Sequence, residues 1–353
     1  MTAHIHAIGT AIPDHDIHVA FIGWAERRIA AGADRKLFDR MAARSGIRHR
    51  WSVLPATADG GSPVDQGGFY GDGQPGTAAR METYAREAPN LALKAIASLS
   101  EKTSLAGVTH LVVASCTGFV APGIDQIIAR ELGLAGSVER TLVGFMGCYA
   151  AVAALRTAHH IARSDTEARI LVVTVELSTL HLQDADTVEP LLAMLQFGDG
   201  AAAALISSQS EGMAIEGFFA QTVADTHELI RWTIGDHGFA MHLSGAVPGR
   251  IAQALTDESF RAAILQGRDP IDIEAWAVHA GGRSILDAVE KGLRLPQGAL
   301  AEARAVLEEN GNMSSATLMF VLEKLMTGRK ENGVAMAFGP GLAAEGFSFR
   351  RAA

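Results

Sequence analysis

Three residues from distant parts of the chain carry side chains that could act together on an acyl group: Cys148, His279 and Asn312. Cys148 lies in RTLVGFMGCYAAVAALRTAHHIA, after a strand-like run and before an Ala/Leu-rich helical one. That places the thiol at a helix N-terminus, where unsatisfied N–H groups and the helix dipole favour an anion, so its pKa is expected to fall. A thiolate is a strong nucleophile and a good thioester leaving group, the two properties acyl transfer needs. On position alone a buried structural cysteine fits as well, because free Cys is among the most buried residue types. His279 ends the run WAVHAGG at the end of a strand, where α/β enzymes place their sites, and the two glycines let the chain turn beside a ligand. Alone it is also one of thirteen histidines that a core could satisfy. Asn312, in ENGNMSSATLMFVL, precedes a helix that begins at Ser314 or Ser315. It reads either as a turn or N-cap residue or as an amide donor to a thioester or enolate oxygen.

Strands and helices must alternate to bring these residues together. The hydrophobic pattern predicts strands at 5–9, 109–115, 141–143, 169–176, 199–206, 275–279 and 333–337. It predicts helices at 25–44, 77–99, 123–132, 148–163, 284–291 and 315–326. Apolar strands alternating with long helices argue for a mostly parallel, buried sheet. The second half repeats the grammar of the first weakly, which points to two α/β halves dividing near residue 210. Segment 57–76, TADGGSPVDQGGFYGDGQPG, is Gly/Pro/Asp-rich and reads as a surface loop.

Composition narrows the partners. The 353 residues are 48% hydrophobic and 20% charged, with a formal net charge of −9. This is a globular composition, and no basic stripe suits a nucleic-acid backbone. The apolar runs are far shorter than the ~20 residues of a membrane span, and the N-terminus has no secretory pattern. Two cysteines, Cys116 and Cys148, exclude a disulfide framework and fit a reducing cytoplasm. No Cys/His spacing of the zinc type occurs.

The blocks CTGFVAPGID, GFMGCYAAVAALR, FGDGAAA, VHAGGRSILDAVE, GNMSSATLMFVL and FGPGL follow one another in that order. From about residue 37 to 342 the chain resembles the type III polyketide synthases, the chalcone-synthase-like branch of the thiolase superfamily. The resemblance implies an α/β, thiolase-like αβαβα layered fold made of two duplicated halves, 1–210 carrying the cysteine and 211–353 carrying His and Asn. It implies a homodimer and a Cys-His-Asn catalytic set. Cys148 would hold the starter and growing chain as a thioester. His279 would pair with the thiolate as imidazolium and, with Asn312, stabilise the enolate formed when malonyl-CoA loses CO2. No metal or redox cofactor is implied; acyl-CoA and malonyl-CoA enter as substrates.

The same resemblance assigns cavity positions. Phe197 matches a gatekeeper phenylalanine between the CoA tunnel and the cavity, and Met241 stands where plant enzymes carry the second gatekeeper Phe. Cys116, Ser178 and His181 fall at cavity positions that are commonly Thr, Trp232 at one that is Gly in chalcone synthases, and Ser314 at another cavity position. Gly339 and Pro340 belong to the FGPG loop. Arg40 and Arg44 match residues that hold the CoA phosphates, with Lys36 beside a third basic position that is Leu37 here. The expected reaction is decarboxylative Claisen extension of an acyl-CoA starter, closing to a pyrone, resorcinol or phloroglucinol-type product. The competing readings are an initiating ketoacyl-carrier-protein synthase and a catalytically inactive binding protein of the same fold.

Overall fold

The run Ile170–Leu177 is buried at every residue because both of its faces are covered. Leu171, Val173 and Val175 join one apolar cluster, together with Tyr84, Leu91 and Ala92 of the helix Thr77–Ser100. Ile170 and Val172 join a second cluster on the other face, with the alanines of the helix Ala150–Ser164 and much of the helix Ser315–Met326. This period-two division of a continuous apolar run is what a two-sided strand requires.

The computed structural model describes residues 2–352. Its strands in chain order are β1 (Ala3–Ala11), β2 (His15–Asp16), β3 (Trp51–Ser52), β4 (His110–Ser115), β5 (Glu139–Gly144), β6 (Ile170–Leu177), β7 (Asp199–Ser207), β8 (Met213–Thr222), β9 (Ile230–Gly235), β10 (Gly238–Leu243), β11 (Ala275–Val278), β12 (Asn332–Gly339) and β13 (Ala343–Arg351). Nine form one sheet, in the order β11-β12-β13-β8-β1-β7-β6-β4-β5, while β9–β10 and β2–β3 are separate antiparallel pairs. Strands β1, β4, β5, β6 and β7 form one group and β8, β11, β12 and β13 the other. The groups meet only where Ala3–Ile5 pairs with Met213–Ile215. The helices 150–164 and 315–326 touch each other and strands of both groups, and the helix 77–100 covers β1, β6 and β7 from outside. The result is a thiolase-like α/β fold.

The sheet is mixed, not mostly parallel. Only β4–β5, β4–β6 and β11–β12 are parallel; β6–β7, β7–β1, β1–β8, β8–β13 and β12–β13 are antiparallel. Helical crossovers link β4 to β5 and β5 to β6, whereas β12 turns straight into β13 through Pro340–Leu342. A short link of that kind can only join antiparallel strands. The expected helix 25–44 is two helices, His18–Arg28 and Ala33–Ala43, parted at Gly32. The helix expected from residue 148 begins with a 3₁₀ turn, Gly147–Tyr149, before the α-helix at Ala150.

Candidate active site

Cys148 stands on a sharp strand-to-helix turn. After β5 the chain passes through Phe145 (φ 58°) and Gly147 (φ 74°). A side chain at Gly147 would lie 2.5 Å from the Pro340 ring, so conformation and space both demand glycine there. His279 directly follows β11, its N–H donating to Met336 O of β12 at 2.8 Å. Asn312 lies between the helices Ala301–Asn310 and Ser315–Met326, and its N–H donates to Gln196 O at 2.8 Å.

All three side chains line one cavity, with Phe197, Met241, Phe338 and Gly339 also in its wall. The Asn312 amide is held in one orientation. Its Oδ1 accepts the Ser314 N–H at 2.8 Å and its Nδ2 donates to Gly281 O at 3.1 Å. An amide nitrogen carries two hydrogens, so a second donor remains for the cavity. His279 is 1% exposed, and neither ring nitrogen has a hydrogen-bond partner among the described residues. The ring leaves no room for a side chain at residue 281: a Cβ on Gly281 would come within 3.3 Å of it.

The electrostatics differ from the sequence expectation. Burial pushes the Cys148 thiol up to about 12; the side chains of Ser314 and Asn312 pull it down, and nearby Glu176 adds to the rise. Burial alone lowers His279 to about 3. Against the pull of the helix N-terminus stands withdrawal from water, which opposes each charge. Burial thus opposes charge on the thiol and on the imidazole alike.

Glu176, which sequence reasoning missed, sits at full burial in β6 with its carboxyl raised to about 7, chiefly by burial. It accepts from Ser315 Oγ, from Thr117 Oγ1 at 3.0 Å and from the Cys116 N–H at 2.9 Å. Its signal was a single carboxylate in the otherwise apolar ILVVTVEL. Cys116 is buried and absent from both cavity walls: its sulfur accepts the Gly147 N–H at 2.9 Å, behind the nucleophile's turn. Ser314 (φ 48°) lies next to the thiol, though not in the wall of the cavity. Pro340 packs against Gly147, and its carbonyl accepts from Tyr149 Oη at 3.3 Å.

Phe197 and Met241 also belong to a second cavity, lined by Ser178, His181, Trp232 and many apolar side chains. Met241 pairs with Trp232 across the β9–β10 hairpin, and Trp232 Nε1 donates to Cys116 O at 2.9 Å. His181 stacks on Phe239 at 4.2 Å, its Nε2 donating to Thr117 O and its Nδ1 accepting the Phe239 N–H; burial lowers it to about 3.

Lys36, Arg40 and Arg44 are exposed on and just after the helix Ala33–Ala43. Of these, Arg44 lines a surface hollow with Gln196, Arg283 and Ser284. Lys36 and Arg40 do not. Arg283, a residue sequence reasoning passed over, donates to Arg44 O at 3.3 Å and so ties the two segments at this hollow.

The arrangement has many relatives. The pattern for chalcone and stilbene synthases, N-terminal domain, matches residues 1–210, and that for their C-terminal domain matches residues 214–352. The alpha-pyrone synthesis polyketide synthase-like protein Pks18 of Mycobacterium tuberculosis is 33% identical, over 76% of this chain and 72% of its own. The 1,3,6,8-tetrahydroxynaphthalene synthase of Streptomyces peucetius is 31% identical, over 97% of this chain and 91% of its own. The crystal structure of PKS-I from the brown alga Ectocarpus siliculosus superposes with a TM-score of 0.87 at 27% identity, covering 99% of this chain and 98% of that one. With its nucleophile's turn, its two loops at the strand ends and both halves of its sequence accounted for, the chain belongs to the chalcone and stilbene synthase family, the type III polyketide synthases, which are acyltransferases.

Proposed function

We propose that the protein loads an acyl-CoA starter on Cys148, extends it with malonyl-CoA and releases a cyclised pyrone, resorcinol or phloroglucinol-type product. The observation that carries this is the convergence of Cys148, His279 and Asn312 on one cavity whose other wall includes Phe197 and Met241. In loading, neutral His279 takes the thiol proton as sulfur attacks the thioester carbonyl. The C–S bond to CoA breaks and the departing CoA sulfur takes the proton back. In extension, malonyl-CoA loses CO2 and its electron pair moves onto the thioester oxygen, which the Asn312 amide and His279 hold. The apolar Phe197 and Met241 keep water from the departing carboxylate. The enolate carbon then attacks the acyl carbonyl on Cys148, and the cysteine sulfur leaves.

In this reading residues 1–210 and 211–353 are the two halves that supply the nucleophile and its partners. Arg44, with Lys36 and Arg40 on the same exposed helix segment, would receive the CoA phosphates. The enzyme works without a metal or redox cofactor, in the cytoplasm, where its two free cysteines stay reduced. It works as a homodimer. Strand β5 is an unpaired sheet edge, and Leu142, Phe119 and Phe145 near it are 43%, 43% and 36% exposed, an apolar edge suited to a second copy.

The test is to incubate the protein with a panel of aryl- and fatty acyl-CoAs, supplying malonyl groups either on CoA or on a carrier protein, and to identify products by mass spectrometry. Triketide or longer products from malonyl-CoA are expected. Product only from the carrier-bound form would assign an initiating ketoacyl-carrier-protein synthase instead, and no product from either would favour an inactive binding protein.

A further inference from the structure

Only Met41 of the helix Ala33–Ala43, and Arg44 just after it, belong to the surface hollow. The helix buries Phe38 and Ala42 against the body of the protein. On its outward face, at 3.6 residues per turn, Lys36, Arg40 and Arg44 form one row and Leu37 and Met41 the row beside it. Leu37 and Met41 are 36% and 46% exposed. Arg28 pairs with Asp184 and Arg48 with Glu308, whereas Lys36, Arg40 and Arg44 have no carboxylate partner among the described residues. In a chain of net charge −9, residues 27–50 hold eight lysines and arginines against two aspartates. A cationic row beside exposed apolar side chains suits an acidic, partly apolar partner.

That face runs into the hollow, and the hollow backs onto the cavity at Cys148. Gln196 lines the hollow and Phe197 the cavity; Arg283 and Ser284 line the hollow, Gly281 and Ile285 the cavity. The two walls touch, since a side chain at Gly282 would collide with Gln196 Oε1. The Arg283 guanidinium, donating to Arg44 O at 3.3 Å, ties the end of the helix to this mouth. CoA would use the hollow and its cations, but the Leu37 side chain stands outside the hollow and offers a phosphate nothing. Cations, exposed apolar contact and an entrance for a phosphate-bearing thiol arm together fit an arm that is carried on a protein.

We propose that the outward face of the helix Ala33–Ala43 docks an acidic, phosphopantetheine-bearing carrier protein, which hands a starter acyl group to Cys148 while malonyl-CoA remains the extender. This rests on the reading of Cys148 as acyl carrier. Acidic side chains of the carrier face Lys36, Arg40 and Arg44, and an apolar side chain of it covers Leu37 and Met41. The phosphate of its arm lies at the hollow, and the arm brings the thioester to Cys148. There the acyl C–S bond to the arm breaks as the bond to Cys148 Sγ forms. The thiol proton passes by way of His279 to the departing pantetheine sulfur.

The experiment uses the full chain, malonyl-CoA and the aryl and fatty acyl panel above, each acyl group supplied either on CoA or on the phosphopantetheine arm of a bacterial acyl carrier protein. It measures kcat/KM for both donors in wild type, Leu37→Asp and Leu37→Ala. Wild type is expected to use the carrier-bound starter at least as well as the acyl-CoA. Leu37→Asp should lower kcat/KM from the carrier by about tenfold or more and leave that from CoA within about twofold of wild type. Leu37→Ala, which removes the apolar contact without adding a charge, should lower only the carrier reaction, and by less. A wild type that uses acyl-CoA but takes nothing from the carrier overturns the proposal, as do variants that treat both donors alike. So does binding of the wild type to phosphatidylglycerol vesicles with none to the carrier, which would make this face a membrane contact. Failure to extend a starter from either donor would instead defeat the assignment of Cys148 as acyl carrier, so the two failures are told apart.

Discussion

Phe197 and Asn312 are joined as an isolated parallel β-bridge between two loops far apart in the chain. The Asn312 N–H donates to Gln196 O at 2.8 Å, and the Gly198 N–H donates to Asn312 O at 3.0 Å. The backbones of Phe197 and Asn312 are thus tied together, and in the proposed reaction a malonyl group would meet both side chains in a fixed relation. Because these bonds are made by the backbone, the amide can be removed without cutting the bridge. Asn312→Ala should slow CO2 release from malonyl-CoA by about 100-fold or more, as loss of one oxyanion donor does. Release at the wild-type rate would remove Asn312 from the chemistry.

Gly147 fixes the turn that carries Cys148. Gly147→Ala places a methyl group in a left-handed conformation and 2.5 Å from the Pro340 ring. Backbone strain of roughly 1–2 kcal/mol and overpacking of ~1–3 kcal/mol should lower stability by several kcal/mol in denaturant unfolding and displace Cys148. A variant of wild-type stability and activity would show that the turn tolerates a side chain.

Burial opposes charge on the resting thiol. With Cys148 raised to about 12 and His279 lowered to about 3 by burial, alkylation of Cys148 by iodoacetamide should climb steadily from pH 7 to 10. A rate that titrates near pH 6 and is flat above would reveal a thiolate–imidazolium pair already formed in the free enzyme.

The buried histidines, His4 and His6 among them, set the acid limit of the fold. His18 and His159 are lowered to about 4, and His181 and His279 to about 3, by burial above all. Between pH 6.5 and 4 the unfolded chain takes up protons that these folded imidazoles refuse, so stability is lost as the pH falls through that window. Glu176 and Asp199, raised to about 7 by burial, act the other way, because they are protonated in the fold before they are in the unfolded chain. The histidines outnumber them, and the melting temperature should drop on acidification from 6.5 to 4. His159 lies away from the catalytic cavity against Phe218, and His159→Phe should make that drop shallower. A melting temperature that rises on acidification would reverse the assignment.

Much of this was readable before any coordinates. Strands β4, β6 and β7 are continuous apolar runs, and a strand buried on both faces has no other way to appear in sequence. The order of the Cys, His and Asn blocks pointed to three residues that the structure places around one cavity. Strands β8 and β13 escaped notice because their exposed and buried positions do not alternate regularly, β8 reading MAIEGFFAQT. The burial acting on the thiol was hidden for a different reason. A helix start is a local feature legible in GCYAAVA, whereas the burial that opposes it comes from segments between about 50 and 190 residues further along the chain. Composition likewise marked 57–76 as a loop but gave no sign that Tyr70 would anchor it beneath Thr179. Arg283 at the surface hollow became visible only when two remote segments met there.

The central claim is that Cys148, and not Cys116, carries the acyl chain. Incubation with an acyl-CoA alone, followed by acid quench and peptide mapping by mass spectrometry, reads this directly. One acyl group per chain is expected on the peptide containing Cys148, and none on any peptide of Cys148→Ala. Acyl groups on Cys116, or an unmodified Cys148 in a protein that still makes product, would contradict the account.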